Sequence, residues 1–278
     1  MPLSILLAAS ETAAQRDSRR RRSGAASHET FADTLRRLDP ECRIDWTSCV
    51  DEGGDEIGAL ADYDGIVFPG SPIQMYEDTA ETRSAARFME RVFENGVLSF
   101  GSCAGLQIAA VAAGGTTKPR DGVMEAGIAR GIVATEDGRV HPMLRGRDLS
   151  WDALAMHSTI VDRVPDGMSV LASARGTPVE AAEVRHGNGT FWGVQYHPEV
   201  SMSEIADALD AQKAELVEQG LAEDEGAVKR YVSVLNVLDR EPDRRDLQWQ
   251  IGVDGDVTDA DRRQVEIRNF LRVLHGRG

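Results

Sequence analysis

The segment Gly101-Ser102-Cys103-Ala104-Gly105 restricts this chain more than any other. It follows a strand-like run, Gly96-Val97-Leu98-Ser99-Phe100, and precedes the small, apolar stretch Leu106 to Ala113, which reads as a helix packed tightly on a sheet. A strand must therefore turn into a helix within a few residues. Small flanking residues tolerate so sharp a turn, and glycine also admits close approach and dihedrals that other residues avoid. The turn lifts its central side chain above the C-terminal edge of the sheet, against the N-terminus of the next helix. There the helix dipole and backbone N–H groups favour a thiolate, which makes Cys103 a candidate nucleophile. A buried structural cysteine before a helix is the plainer alternative.

The surrounding pattern supplies the sheet. Residues 3–8 are nearly all apolar, as in a parallel strand buried on both faces. Further strands are expected at Cys42 to Cys49, at Asp64 to Phe68 and at Phe191 to Tyr196, with short β-like pieces over 128–175. Helices are expected over Glu29 to Leu38, where Phe31, Leu35 and Leu38 form a stripe, and over Ala80 to Glu94, through Ala85, Phe88, Met89 and Val92. Strand and helix alternate at the rhythm of an α/β fold with a mostly parallel sheet. The polar stretch Ser10 to Ser27 carries Arg16, Arg19, Arg20, Arg21 and Arg22. It reads as a solvated loop, with contact to an anionic substrate or partner as the alternative, because it follows the first strand at the ligand-binding edge of such sheets. Beyond Ser203 the composition turns acidic and helical, with helices expected at Ser203–Gln219 and Glu225–Leu238. A closing helix over 258–275 is expected behind a capping box of Thr258 and Asp261.

Two more segments bear on chemistry. In His197-Pro198-Glu199, directly after a strand, residues two apart in an extended segment point the same way, and the proline between them stiffens that geometry. Glu199 can thus orient His197, and His197 can take the thiol proton of Cys103, the logic of nucleophile, base and orienter. Pro69-Gly70-Ser71-Pro72 follows another strand; the backbone amides of Gly70 or Ser71, with that of Ala104, could form an oxyanion hole. A surface turn of this composition is otherwise ordinary.

These pieces, in this order, resemble the class I (triad-type) glutamine amidotransferases, nearest to the glutaminase domain of GMP synthase and its stand-alone relatives. Gly70-Ser71-Pro72 stands for the family's glycine-rich turn, Gly101 to Gln107 for its GxCxGxQ elbow and His197 to Glu199 for its terminal HPE. Gly193-Val194-Gln195-Tyr196 extends the match, and Met156-His157-Ser158-Thr159 looks like the family's SHGD segment with threonine in place of aspartate. The resemblance covers about residues 60–202 well. It implies a three-layer, flavodoxin-like α/β fold in one domain spanning 1–278, with 203–256 as a helical insertion. It also implies attack of Cys103 on a γ-carboxamide, a γ-glutamyl thioester, and release of ammonia and glutamate. Gln107, His157, Ser158 and Thr159 would hold the α-amino and carboxylate groups of glutamine or another γ-glutamyl compound. No phosphate loop of the SGGxDS kind is present. Ammonia would therefore pass to a separate synthase, or the reaction is plain hydrolysis of a γ-glutamyl amine or peptide. A non-catalytic regulatory subunit on the same scaffold is a third reading. Cysteine α/β-hydrolases fit less well, since they place the acid before the histidine, and no cysteine near Met1 suggests an N-terminal nucleophile.

Composition narrows the partners. A net charge of −15 disfavours nucleic acid, whose phosphates an acidic surface repels. No apolar run approaches the roughly 20 residues of a membrane helix, and the start lacks the basic stretch of a signal peptide. Three cysteines without a CxxC pair suit a reducing cytoplasm and give no sign of a disulfide framework, metal site or cofactor.

Overall fold

The computed structural model describes residues 2–51 and 59–276; Met1, at the head of the first expected strand, and the last two residues lie outside them. Strands β1 (Ser4–Ala9), β2 (Arg43–Ser48), β3 (Gly65–Phe68), β4 (Ser99–Ser102) and β11 (Gly189–Val194) pair in parallel in the order β2-β1-β3-β4-β11. At the β11 edge the sheet continues through antiparallel β10 (Thr177–His186), β9 (Met168–Ala174), β6 (Glu125–Ala134) and β7 (Ser150–His157). A separate ribbon joins β5 (Thr116–Pro119) to β8 (Thr159–Arg163).

Alternation along the central strands builds the layers. Leu3, Ile5 and Leu7 point into one core, and Leu6 and Ala8 into the other. Helices α1 (Ala13–Ser23) and α2 (Ser27–Leu38) follow β1, and Phe31 and Leu35 of α2 enter the first core. Helix α3 (Ala80–Asn95) sends Ala85, Phe88, Met89 and Val92 into the second, at the spacing of one helical face. Helix α4 (Ala104–Ala112) joins it there, its run of alanines allowing close approach to the sheet. A short α5 (Glu136–Val140) packs beside β9. The α/β arrangement expected from the strand–helix rhythm, and the three layers that the resemblance implies, are present.

After β11, helices α6 (Met202–Ala211), α7 (Lys213–Glu218), α8 (Glu225–Arg240), α9 (Arg245–Ile251), α10 (Gly255–Thr258) and α11 (Ala260–Arg263) precede α12 (Val265–His275). They build a third core in which Ile205, Leu209, Val228, Leu235 and Leu238 meet Ile128 of β6 and Leu154 of β7. Three sequence expectations change here. The polar stretch Ser10 to Ser27 is not a loop: Thr12 caps α1 through a reciprocal capping box with Gln15. The expected helix Ser203–Gln219 breaks at Gln212, whose N–H is shared between the carbonyls of Ala208 and Leu209. The closing helix begins at Val265 rather than 258, and Thr258 forms no box with Asp261: its hydroxyl donates to Asp254 O, while Asp259 caps Asp261 N. No helix among the described residues is long and apolar enough to cross a membrane.

Candidate active site

Because β1, β3, β4 and β11 run parallel, their C-terminal ends share one edge of the sheet, where open α/β folds bind ligands. That edge gathers Ser10, the 69–72 turn, Cys103 and the 195–199 segment. Cys103 is the only non-glycine residue with positive φ among the described residues, at φ 49°, ψ −104°. Its own N–H donates to Val194 O at 2.8 Å, which pins the turn to the neighbouring strand. The amides of Gly70, Ser71 and Ala104, by contrast, make no hydrogen bond to another described residue. They remain available to an oxyanion.

The glycines around the turn have steric reasons. A methyl group on Gly70 would come within 2.5 Å of His197 Cε1 and 3.4 Å of Cys103 Cβ. The 69–72 turn thus lies directly on the imidazole. Ser71 is held from beside it, its hydroxyl accepting hydrogen bonds from Ser10 Oγ (2.8 Å) and Ile73 N (3.3 Å).

His197 Nδ1 lies 2.9 Å from Glu199 Oε1, and the same oxygen accepts from Ser102 Oγ at 2.8 Å. Glu199 is 5% exposed and its Oε2 has no hydrogen-bond partner among the described residues. Burial alone would push the His197 imidazole below its ordinary value. The Glu199 carboxylate with its hydrogen bond, together with the neighbouring Cys103 sulfur, outweighs that and holds it well above. An imidazolium so stabilised is a fitting partner for a thiolate. We therefore expect activity to persist into alkaline solution and to fall as the imidazolium deprotonates. In Glu199→Gln the carboxylate charge is gone, so the alkaline limb of a kcat/KM–pH profile should move to lower pH, with the maximum roughly 10²-fold lower. An unmoved limb would sink this account of Glu199.

Cys103, Gly70, Ser71, Ala104, Gln107, His157, Ser158, Thr159 and His197 all line one cavity of about 320 Å³, while Glu199 stands behind His197. Gln107 donates from Nε2 to Thr159 O (3.0 Å) and to Gln195 Oε1 (3.2 Å); its Oε1 is buried without a partner among the described residues. The corner at Ser158 separates β7 from β8 and sets the register of this wall. His157 ends β7 opposite Glu125 of β6, its Nε2 2.9 Å from Glu125 Oε2 and its Nδ1 3.0 Å from Thr159 O. Burial opposes the charge on Glu125, but His157, Arg120 and Thr177 hold its carboxyl below the ordinary range. Thr159, the departure from the family pattern, donates from its hydroxyl to Gln74 Oε1 at 3.1 Å, tying this wall to the 69–74 loop.

Several contributors were not marked as site residues by the sequence. Ser102, inside the elbow segment, donates to Glu199, and Glu125 supports His157 from a position that only strand pairing brings near. The outer wall comes from Gln15, Ser18, Arg19 and Arg22 of α1 and from Glu204, Ile205, Ala208 and Gln212 on or next to α6. The spacing of the α1 set, i, i+3, i+4 and i+7, is the signal that would have found it.

Comparison with known proteins bears on the family. A family model described as glutamine amidotransferase class-I matches residues 23–214. A gamma-glutamyl-L-1-hydroxyisopropylamide hydrolase of a Pseudomonas species is 34% identical over 239 residues, which span 85% of this chain and 81% of that protein. The glutamine-hydrolysing GMP synthase of Leifsonia xyli subsp. xyli is 36% identical over 146 residues, 52% of this chain and 27% of the synthase. The chain thus spans about a quarter of that relative. The solved structure of a glutamine amidotransferase from Thermotoga maritima, 14% identical, shares the fold with a TM-score of 0.66 over 99% of this chain and 98% of its own.

Proposed function

This chain belongs to the class-I glutamine amidotransferase family, and from that premise we propose that it hydrolyses a γ-glutamyl amide through a thioester on Cys103, acting without a synthase. The observation that supports this best is Cys103 on its strained turn, facing His197 and opening into a cavity. The thiolate attacks the γ-carbonyl carbon, and the oxygen takes up negative charge toward the amides of Gly70, Ser71 and Ala104. As the C–N bond breaks, imidazolium His197 gives its proton to the departing nitrogen. His197 then accepts a proton from water as that water attacks the thioester, and glutamate leaves. The unpartnered Oε1 of Gln107 offers an acceptor to the substrate α-ammonium. The Met156–Thr159 wall meets its carboxylate.

Two features favour a stand-alone hydrolase. The similarity to the Pseudomonas amide hydrolase runs through most of both chains, whereas the synthase match covers half of this one. The cavity also extends past the nucleophile to α1 and α6, leaving room for an amine larger than ammonia. We take helices α6–α11 as part of the same domain, with α6 contributing to this outer wall. The unpaired thiols of Cys42, Cys49 and Cys103 suit a cytoplasmic setting. The second reading, a glutaminase that passes ammonia to a separate synthase, rests on the GMP synthase similarity.

Glutamate release from purified protein, offered glutamine and a panel of γ-glutamyl amides, separates the two. We expect an N-substituted amide to surpass glutamine in kcat/KM by about tenfold or more, with no added protein. Turnover of glutamine alone, and only after a synthase is supplied, would establish the second reading instead.

A further inference from the structure

The outer half of the cavity has an uneven supply of hydrogen-bonding groups. Of its acids, Glu204 is engaged through both oxygens and Glu11 through one. Glu11, 3% exposed, accepts from Ser27 N at 3.0 Å through Oε2. Glu204 Oε1 accepts from Thr30 Oγ1 (2.7 Å) and Arg19 Nη2 (3.4 Å), and its Oε2 caps α6 through Ser201 N (2.9 Å). The groups on α1 are donors with capacity left. Gln15 uses its oxygen on Thr12 N, which leaves the Nε2 amide hydrogens over. Arg19 Nε is buried without a partner among the described residues. Arg22, an exposed residue of the cavity wall, forms no ion pair with another described residue, although its charge reaches Asp207 on α6. Arg19 and Arg22 lie one turn apart on the face that looks into the cavity.

A site with more open donors than open acceptors discriminates in favour of a ligand that brings acceptors, and guanidinium groups favour a carboxylate among them. Resting on the γ-glutamyl amide reading above, we propose that the preferred substrate's amine bears a carboxylate, as in a γ-glutamyl amino acid, and that Arg22, with Gln15 and Arg19, receives it. The γ-glutamyl half sits against Gln107 and the Met156–Thr159 wall, and the second carboxylate reaches α1.

The test uses four γ-glutamyl conjugates of straight-chain amines of equal length, ending in carboxylate, hydroxyl, methyl or ammonium, with the whole protein and glutamate release as readout. We expect the carboxylate conjugate to exceed the methyl conjugate in kcat/KM at least tenfold and the ammonium conjugate by more. Arg22→Ala should bring the carboxylate-to-methyl ratio close to one, and Arg22→Glu should place the ammonium conjugate first. Equal or better turnover of the hydroxyl, methyl or ammonium conjugate by the unaltered protein overturns this proposal and leaves the amide hydrolase reading standing. If no conjugate is hydrolysed, both fall.

Discussion

Replacing Cys103 with alanine should abolish hydrolysis of every γ-glutamyl amide the protein turns over, lowering kcat at least about 10⁴-fold. Alanine keeps the fold of the turn but cannot form the thioester, and the cavity holds no substitute. Cys42 and Cys49, the other thiols, lie outside the cavity lining, and burial pushes the Cys49 thiol up to about 12. The hydroxyl of Ser102, next in sequence, is turned away to Glu199. Loss of labelling by a γ-glutamyl chloroketone should accompany loss of glutamate release. Retention of full activity by Cys103→Ala would falsify the mechanism.

Gly105→Ala should produce the largest effect on stability of any single methyl group added near the site. The new Cβ would lie 2.4 Å from the carbonyl oxygen of Phe68 and 2.9 Å from Phe68 Cβ. That obstacle is chiefly backbone of β3, which cannot swing aside as a side-chain tip can, so α4 must lift off the sheet. Overpacking of this kind costs about 3 kcal/mol, or roughly 5–10 °C in Tm for a chain of this size. Because α4 begins at the residue after Cys103, activity should fall with it. A variant with unchanged Tm would mean that β3 and α4 are not packed as described. Gly114, with nothing within 4 Å but φ +93°, should respond to alanine through backbone strain alone and thus less severely.

What the sequence made legible follows from how local each signal is. The turn at Cys103, the HPE segment and the central strands are written in a few consecutive residues, and pairing of parallel strands brings the segments to one edge. Helix α1 was misread because it has no apolar stripe: among its residues only Arg16 is buried. The Thr12-to-Gln15 capping box was its local sign, and hydrophobic periodicity overlooks such a helix. At the other end, Thr258 and Asp261 have the spacing of a capping box, but the backbone bends at Asp259 and uses a different cap. Glu125 could not be read from sequence at all, since its link to His157 exists only through the register of β6 on β7. Glu180 was equally silent. It is fully exluded from solvent on β10, has no partner among the described residues, and burial drives its carboxyl well above the ordinary range.

The division of the cavity wall has an evolutionary consequence. The reacting groups stand on the central strands, where even one methyl group at Gly70, Gly101 or Gly105 collides with its surroundings. The outer wall stands on α1 and α6, joined by the contact of Arg19 with Glu204 across 185 positions of sequence. Mutation can therefore explore new leaving amines by altering side chains on two helices while the bond-breaking apparatus stays as it is. A lineage built on this plan can change its diet without relearning its chemistry.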